Sequence, residues 1–101
     1  MSSQSGGFTD NSSSAINETT ATAVATANIG RQYLFIQNLS TKVMYVKFGA
    51  TAVADQAGTI MLAANGGFSE WQGETFVPAS AVSIIAATGG GSGLKVTVLS
   101  A

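Results

Sequence analysis

The chain has 101 residues, enough for one small domain. It contains no Cys and no His, which excludes a disulfide framework, thiolate or imidazole metal sites, and every His-dependent acid–base or nucleophilic mechanism. Four cations (Arg31, Lys42, Lys47, Lys95) against five carboxylates (Asp10, Glu18, Asp55, Glu70, Glu74) leave a net charge of −1, with no basic footprint for nucleic acid.

The first residues carry neither a basic n-region nor an apolar h-region, so no secretory signal is expected. No run approaches the ~18 apolar residues that span a bilayer, and no membrane partner is expected. Residues 1–19 read as a flexible arm rich in Ser, Gly and Asn, too polar to offset its own ordering entropy. Phe8 and Ile16 are isolated apolar residues in this arm. They are candidate plugs for a neighbouring subunit, to be weighed against a plain flexible tail.

A β-sandwich domain is expected over residues 20–101. Thr20 to Ala27 alternates with period two, which places Thr22, Val24 and Thr26 on one face and alanines on the other. Asn28-Ile29-Gly30 reads as a turn. Arg31 to Asn38 is the clearest strand. Its middle is apolar on both faces, so it is expected to be central and covered on both sides. A polar connection leads to Val43–Phe48, and the two strands together suggest a hairpin. Ala50–Gly58 is a small-residue loop, Thr59–Leu62 a short strand, and Asn65-Gly66 a turn of two residues that tolerate positive φ. Phe68–Trp71 is a strand with Phe68 and Glu70 on one face and Ser69 and Trp71 on the other. Glu74–Val77 is read as short and extended, Ala81–Ala87 as a buried strand, and Leu94–Leu99 as the last strand. About seven or eight short strands without a helix predict an all-β fold, a small antiparallel sandwich or barrel.

No motif in this pattern carries catalysis. Gly89–Gly93 precedes a strand rather than a helix, so it reads as a flexible hairpin tip and not as a phosphate cradle. Glu70 and Glu74 read as solubilising carboxylates, and Asp55 stands far from the other acids, unlike a calcium loop. Arg31 and Lys47 read as solvated strand flanks, with pairing to a neighbour's carboxylate as the alternative. Trp71 and Phe68 are each either core or interface anchors. No cofactor is expected.

The segment Gly30–Asn38 followed by Val43–Gly49 resembles strands of small virion structural proteins of tailed bacteriophages. Gly66-Gly67-Phe68, Val77–Ile84 and Val96–Leu99 extend the resemblance over roughly residues 20 to 100. The resemblance implies a non-enzymatic, capsid-decoration or fibre-type β-sandwich protein, located in the virion and assembled in the host cytoplasm. Its implied partners are the major capsid protein or other virion proteins and copies of itself, often as trimers. A chain with only 9% charged residues fits this reading, because uncharged polar groups are less costly to desolvate in repeated contacts. A carbohydrate-binding module, with Trp71 and Tyr45 as stacking platforms, is the competing expectation.

Overall fold

The computed structural model describes residues 7–73 and 76–101. Among the described residues nine strands are formed: β1 (Thr9–Asp10), β2 (Ser13–Ile16), β3 (Thr22–Ala25), β4 (Tyr33–Asn38), β5 (Met44–Phe48), β6 (Ile60–Leu62), β7 (Phe68–Gln72), β8 (Val82–Ala86) and β9 (Leu94–Ser100). The fold is all-β, with no helix among the described residues. All strand pairs are antiparallel. One sheet runs β1–β9–β4–β7, with β2 on the same edge of β9 as β1, and the other runs β3–β8–β5–β6.

From β2 onward, consecutive strands alternate between the two sheets, except that β5 and β6 share one. With β1 and β2 as one interrupted edge strand, this is the strand order of an eight-stranded jelly roll. The hairpin expected between residues 31–38 and 43–48 is therefore corrected. β4 and β5 lie in different sheets, and the polar connection between them is a corner of the sandwich. The reason is Asn38. Its buried amide donates to the Lys42 and Leu62 carbonyls and accepts from the Ser40 amide and hydroxyl, which turns the chain across the layer.

Part of the arm expected at residues 1–19 belongs to the sheet. β1 and β2 pair with β9, and Ile16 is 0% exposed in the core. Ladder bonding continues through the interruption, because Asn11 N–H donates to the Val98 carbonyl and Val98 N–H donates to Ser12 Oγ. The short polar side chains that argued for a free arm thus stand in for missing backbone partners. Residues 1–6 lie outside the described residues.

The core is the filling between the sheets: Ile16, Val24, Leu34, Ile36, Met44, Val46, Leu62, Val82, Ile84, Val96 and Val98. β9 follows strand alternation, with Val96 and Val98 inward. In β3 it is broken. Val24 and Ala25 are both buried because the register with β8 shifts between Ala23 and Ala25. β4 is central, between β9 and β7, but only Leu34, Ile36 and Asn38 are buried. Its Tyr33–Phe35–Gln37 face is half-exposed, which corrects the expectation of cover on both sides. β8 is the strand buried on both faces, since Ala52 of the β5–β6 loop donates its N–H to Ser83 Oγ on the outer side.

The Asn65-Gly66 turn forms as expected, with φ of 62° and 106°. Glu74 and Thr75, in the segment read as extended, lie outside the described residues, and residues 76–79 form no strand.

Candidate functional site

Strand alternation sorts the aromatic residues. In the β1–β9–β4–β7 sheet, Leu34 and Trp71 are cross-strand partners pointing inward. Phe35 and Glu70, and Gln37 and Phe68, are partners pointing outward. Register with β9 adds Leu99 and Thr97 to the same outer rows. Phe8, just before β1, packs tilted against Tyr33 with ring centroids 5.2 Å apart, and Phe35 meets Phe68 at 5.7 Å. Four of the chain's eight aromatic side chains thus lie on one outer sheet face. Phe8 and Phe68 remain 61% and 60% exposed.

The polar part of this face is organised around Glu70. Tyr33 Oη donates to Glu70 Oε2 at 2.6 Å, and Gln72 Nε2 donates to Oε1 at 3.2 Å. The hydrogen bond to Glu70 raises the Tyr33 phenol above its ordinary pKa, with burial and the carboxylate charge adding to it. Both Glu70 oxygens are engaged, so the carboxylate acts as a fixed acceptor that orients Tyr33 beside Phe8. Among the described residues, no three His, Cys, Asp or Glu side chains come together.

The candidate interface residues therefore separate. Phe8 and Phe68 share the outer face. Ile16 is corrected from a plug for a neighbour to a part of this molecule's own core. Trp71 points inward, half-buried, with its ring edge-on to Phe48 at 5.3 Å. Tyr45 lies on the other sheet, between Ile85 and Met61, so Trp71 and Tyr45 form no common stacking platform.

Three features escaped sequence reasoning. Tyr33 and Phe35 lie on one face of β4 by alternation, but a single strand does not show whether that face is covered. Ile29, at the tip of the β3–β4 turn, is 97% exposed, and a bulky apolar residue between Asn28 and Gly30 is a signal that could have revealed it. Phe76 is also exposed, in a segment held to that turn by Asn28 N–H donating to the Ala79 carbonyl.

Two further expectations change. The tip at Gly89–Gly93 is pinned: Glu18 accepts N–H bonds from Gly89 and Gly91 at 2.9 and 2.8 Å. Those bonds hold its carboxyl below the ordinary glutamate range. Arg31 is not a solvated flank but is 7% exposed, donating to the carbonyls of Thr26, Pro78 and Ser80. Lys47 is half-buried on the outer face of the other sheet and donates to Gln56 Oε1.

No family model, curated protein or solved structure matches this chain.

Proposed function

We propose that this protein is a non-enzymatic structural subunit of a phage virion, a head decoration or cement protein that seats its aromatic sheet face on the major capsid lattice. The observation that carries the reading is the uncovered outer face of β4 and β7, where Phe8, Tyr33, Phe35 and Phe68 cluster. Scattered exposed apolar residues are ordinary, whereas aromatic groups gathered on one rigid face favour a partner. Glu70 is the only charged group on the β4 and β7 rows of that face, and interface centres are depleted of charge.

The strand pattern of residues 30–49 resembles that of small virion proteins, and the jelly roll is an architecture used by capsid domains. Fold alone does not fix function, so the aromatic face bears the weight. The mechanism is mass action. Many modest, largely uncharged contacts, repeated over a lattice, bind and stabilise the assembled shell.

The test is co-sedimentation with empty heads assembled from a tailed-phage major capsid protein, with light scattering to read the oligomer. Binding by the parent, lost in the Phe8→Ser/Phe68→Ser double variant, and a trimer in solution support the proposal. A monomer that ignores the heads and binds a glycan array through the same face replaces it with the carbohydrate-binding reading.

A further inference from the structure

Arg31 stands just before β4, with its guanidinium inside the end of the sandwich. Of its five N–H donors, Nη1 bonds the Pro78 and Ser80 carbonyls at 2.7 and 3.0 Å, and Nη2 bonds the Thr26 carbonyl at 2.8 Å. Nε is buried with no partner, and one Nη2 hydrogen is left over. All three partners are neutral. Burial lowers the Arg31 pKa. An arginine does not escape burial by losing its proton, so a full positive charge is held here with only neutral carbonyls bonded to it.

Beside it lies a small polar pocket of about 120 Å³, open to solvent on one side and lined by Thr9, Asn11, Thr26, Asn28, Arg31 and Ser100 among others. Its walls supply donors. Thr9, Thr26 and Ser100 carry hydroxyls. The Asn28 Oδ1 is already taken by the Gly30 N–H at 2.9 Å, which leaves the Asn28 amide nitrogen to donate. Water alone would satisfy hydrogen bonds in such a space. Water does not neutralise the charge.

We propose that this cavity is a binding site for one small monovalent anion, of halide or acetate size, held by the Arg31 charge and the surrounding hydroxyl and amide donors. The anion bridges β1, β9 and the β3–β4 turn. Its binding therefore stabilises the closure of the β1 edge onto the sandwich, independently of what the aromatic face contacts.

Two measurements on the full chain test this. Crystals soaked in sodium bromide are expected to show an anomalous peak in the cavity, at hydrogen-bond distance from wall donors. In solution, the melting temperature is expected to rise as sodium chloride or sodium acetate replaces sodium gluconate at constant ionic strength, because a ligand that binds only the native state raises its stability.

Arg31→Met removes three carbonyl partners and is a poor probe, since it is liable to misfold. Thr9→Val and Ser100→Ala keep Arg31 and its carbonyl bonds intact. Each is expected to weaken the apparent anion affinity by about tenfold, the loss of one hydrogen bond to a charged ligand. A melting temperature that ignores anion identity, or a cavity holding only water in the bromide crystal, overturns the proposal. So does bromide seen in the crystal with no anion dependence in solution, an adventitious ion only.

Discussion

Asn38 Nδ2 donates to the Leu62 carbonyl at 3.2 Å, linking the end of β4 in one sheet to the end of β6 in the other. The same amide nitrogen reaches the Lys42 carbonyl at 2.6 Å, and the amide oxygen takes the Ser40 N–H and hydroxyl. Asn38→Leu has similar volume and none of these bonds. It takes the Asn38 acceptor from the Ser40 N–H and one donor each from the Leu62 and Lys42 carbonyls, of which the Lys42 carbonyl keeps the Ser40 hydroxyl. A loss of about 3 kcal/mol in urea unfolding is expected from such groups. Asn38→Asp keeps the acceptor but places a carboxylate against two carbonyls. Burial raises its folded pKa, so this variant is expected to lose stability as pH rises through the carboxylate range. Equal stability of the parent and Asn38→Leu would show that the corner is held by backbone alone.

Glu18 makes a pH-dependent fastening of the Gly-rich tip. Its folded pKa is lowered by the Gly89 and Gly91 amides. A lowered carboxylate pKa means stabilisation that is full above the unfolded value and lost as pH falls through the folded one. The Gly89 and Gly91 amide protons are expected to shift together in an NMR acid titration, with a midpoint below the ordinary glutamate range. In Glu18→Gln that transition is expected to vanish. Amide shifts that stay flat in the parent down to its acid unfolding would remove Glu18 from the tip.

The strands were legible because period-two burial leaves its mark even in short segments. Phe68 and Glu70 against Ser69 and Trp71, and Val96 and Val98 against Lys95 and Thr97, could be sorted by alternation alone. Sheet membership could not. A four-residue polar link between strands reads as a hairpin, and only the bonds made by Asn38 turn it into a crossing between layers. Arg31 was misread for a similar reason. Its partners are main-chain carbonyls of residues 26, 78 and 80, and carbonyls carry no sequence signal. The aromatic face was half legible: Phe8 stood out as an isolated apolar residue and Phe68 as a core or interface anchor, but its extent depends on which strands flank β4.

Trp71 and Phe68 shared one ambiguity in the sequence, and their opposite faces now separate them. Trp71 packs edge-on to Phe48 and against the core, so Trp71→Ala is expected to cost about 3 kcal/mol in unfolding free energy. Phe68→Ser removes an exposed ring and is expected to change stability by less than about 1 kcal/mol while weakening capsid co-sedimentation. Chemical denaturation and the sedimentation assay on both variants check this. If Phe68→Ser unfolds the protein, or if Trp71→Ala spares stability but abolishes binding, the assignment of core and interface faces is inverted.

Ile16 decides whether the serine-rich N-terminal segment is an accessory or a part of the fold. Its side chain has no exposed surface and belongs to the same core as Val96 and Leu34, although its neighbours Ser13, Ser14 and Ala15 face outward or lie at the surface. Ile16→Ala removes three carbon atoms from a closed interior. It is therefore expected to destabilise by about 2–5 kcal/mol, the range for emptying a buried aliphatic site. Deleting residues 1–19 removes β1, β2, Ile16 and the Glu18 carboxylate together, exposes the β9 edge, and is expected to give an aggregating chain instead of a trimmed soluble one. Thermal unfolding and size-exclusion chromatography of both variants read the result. A truncated chain that melts cooperatively near the parent temperature would return residues 1–19 to the status of a dispensable arm.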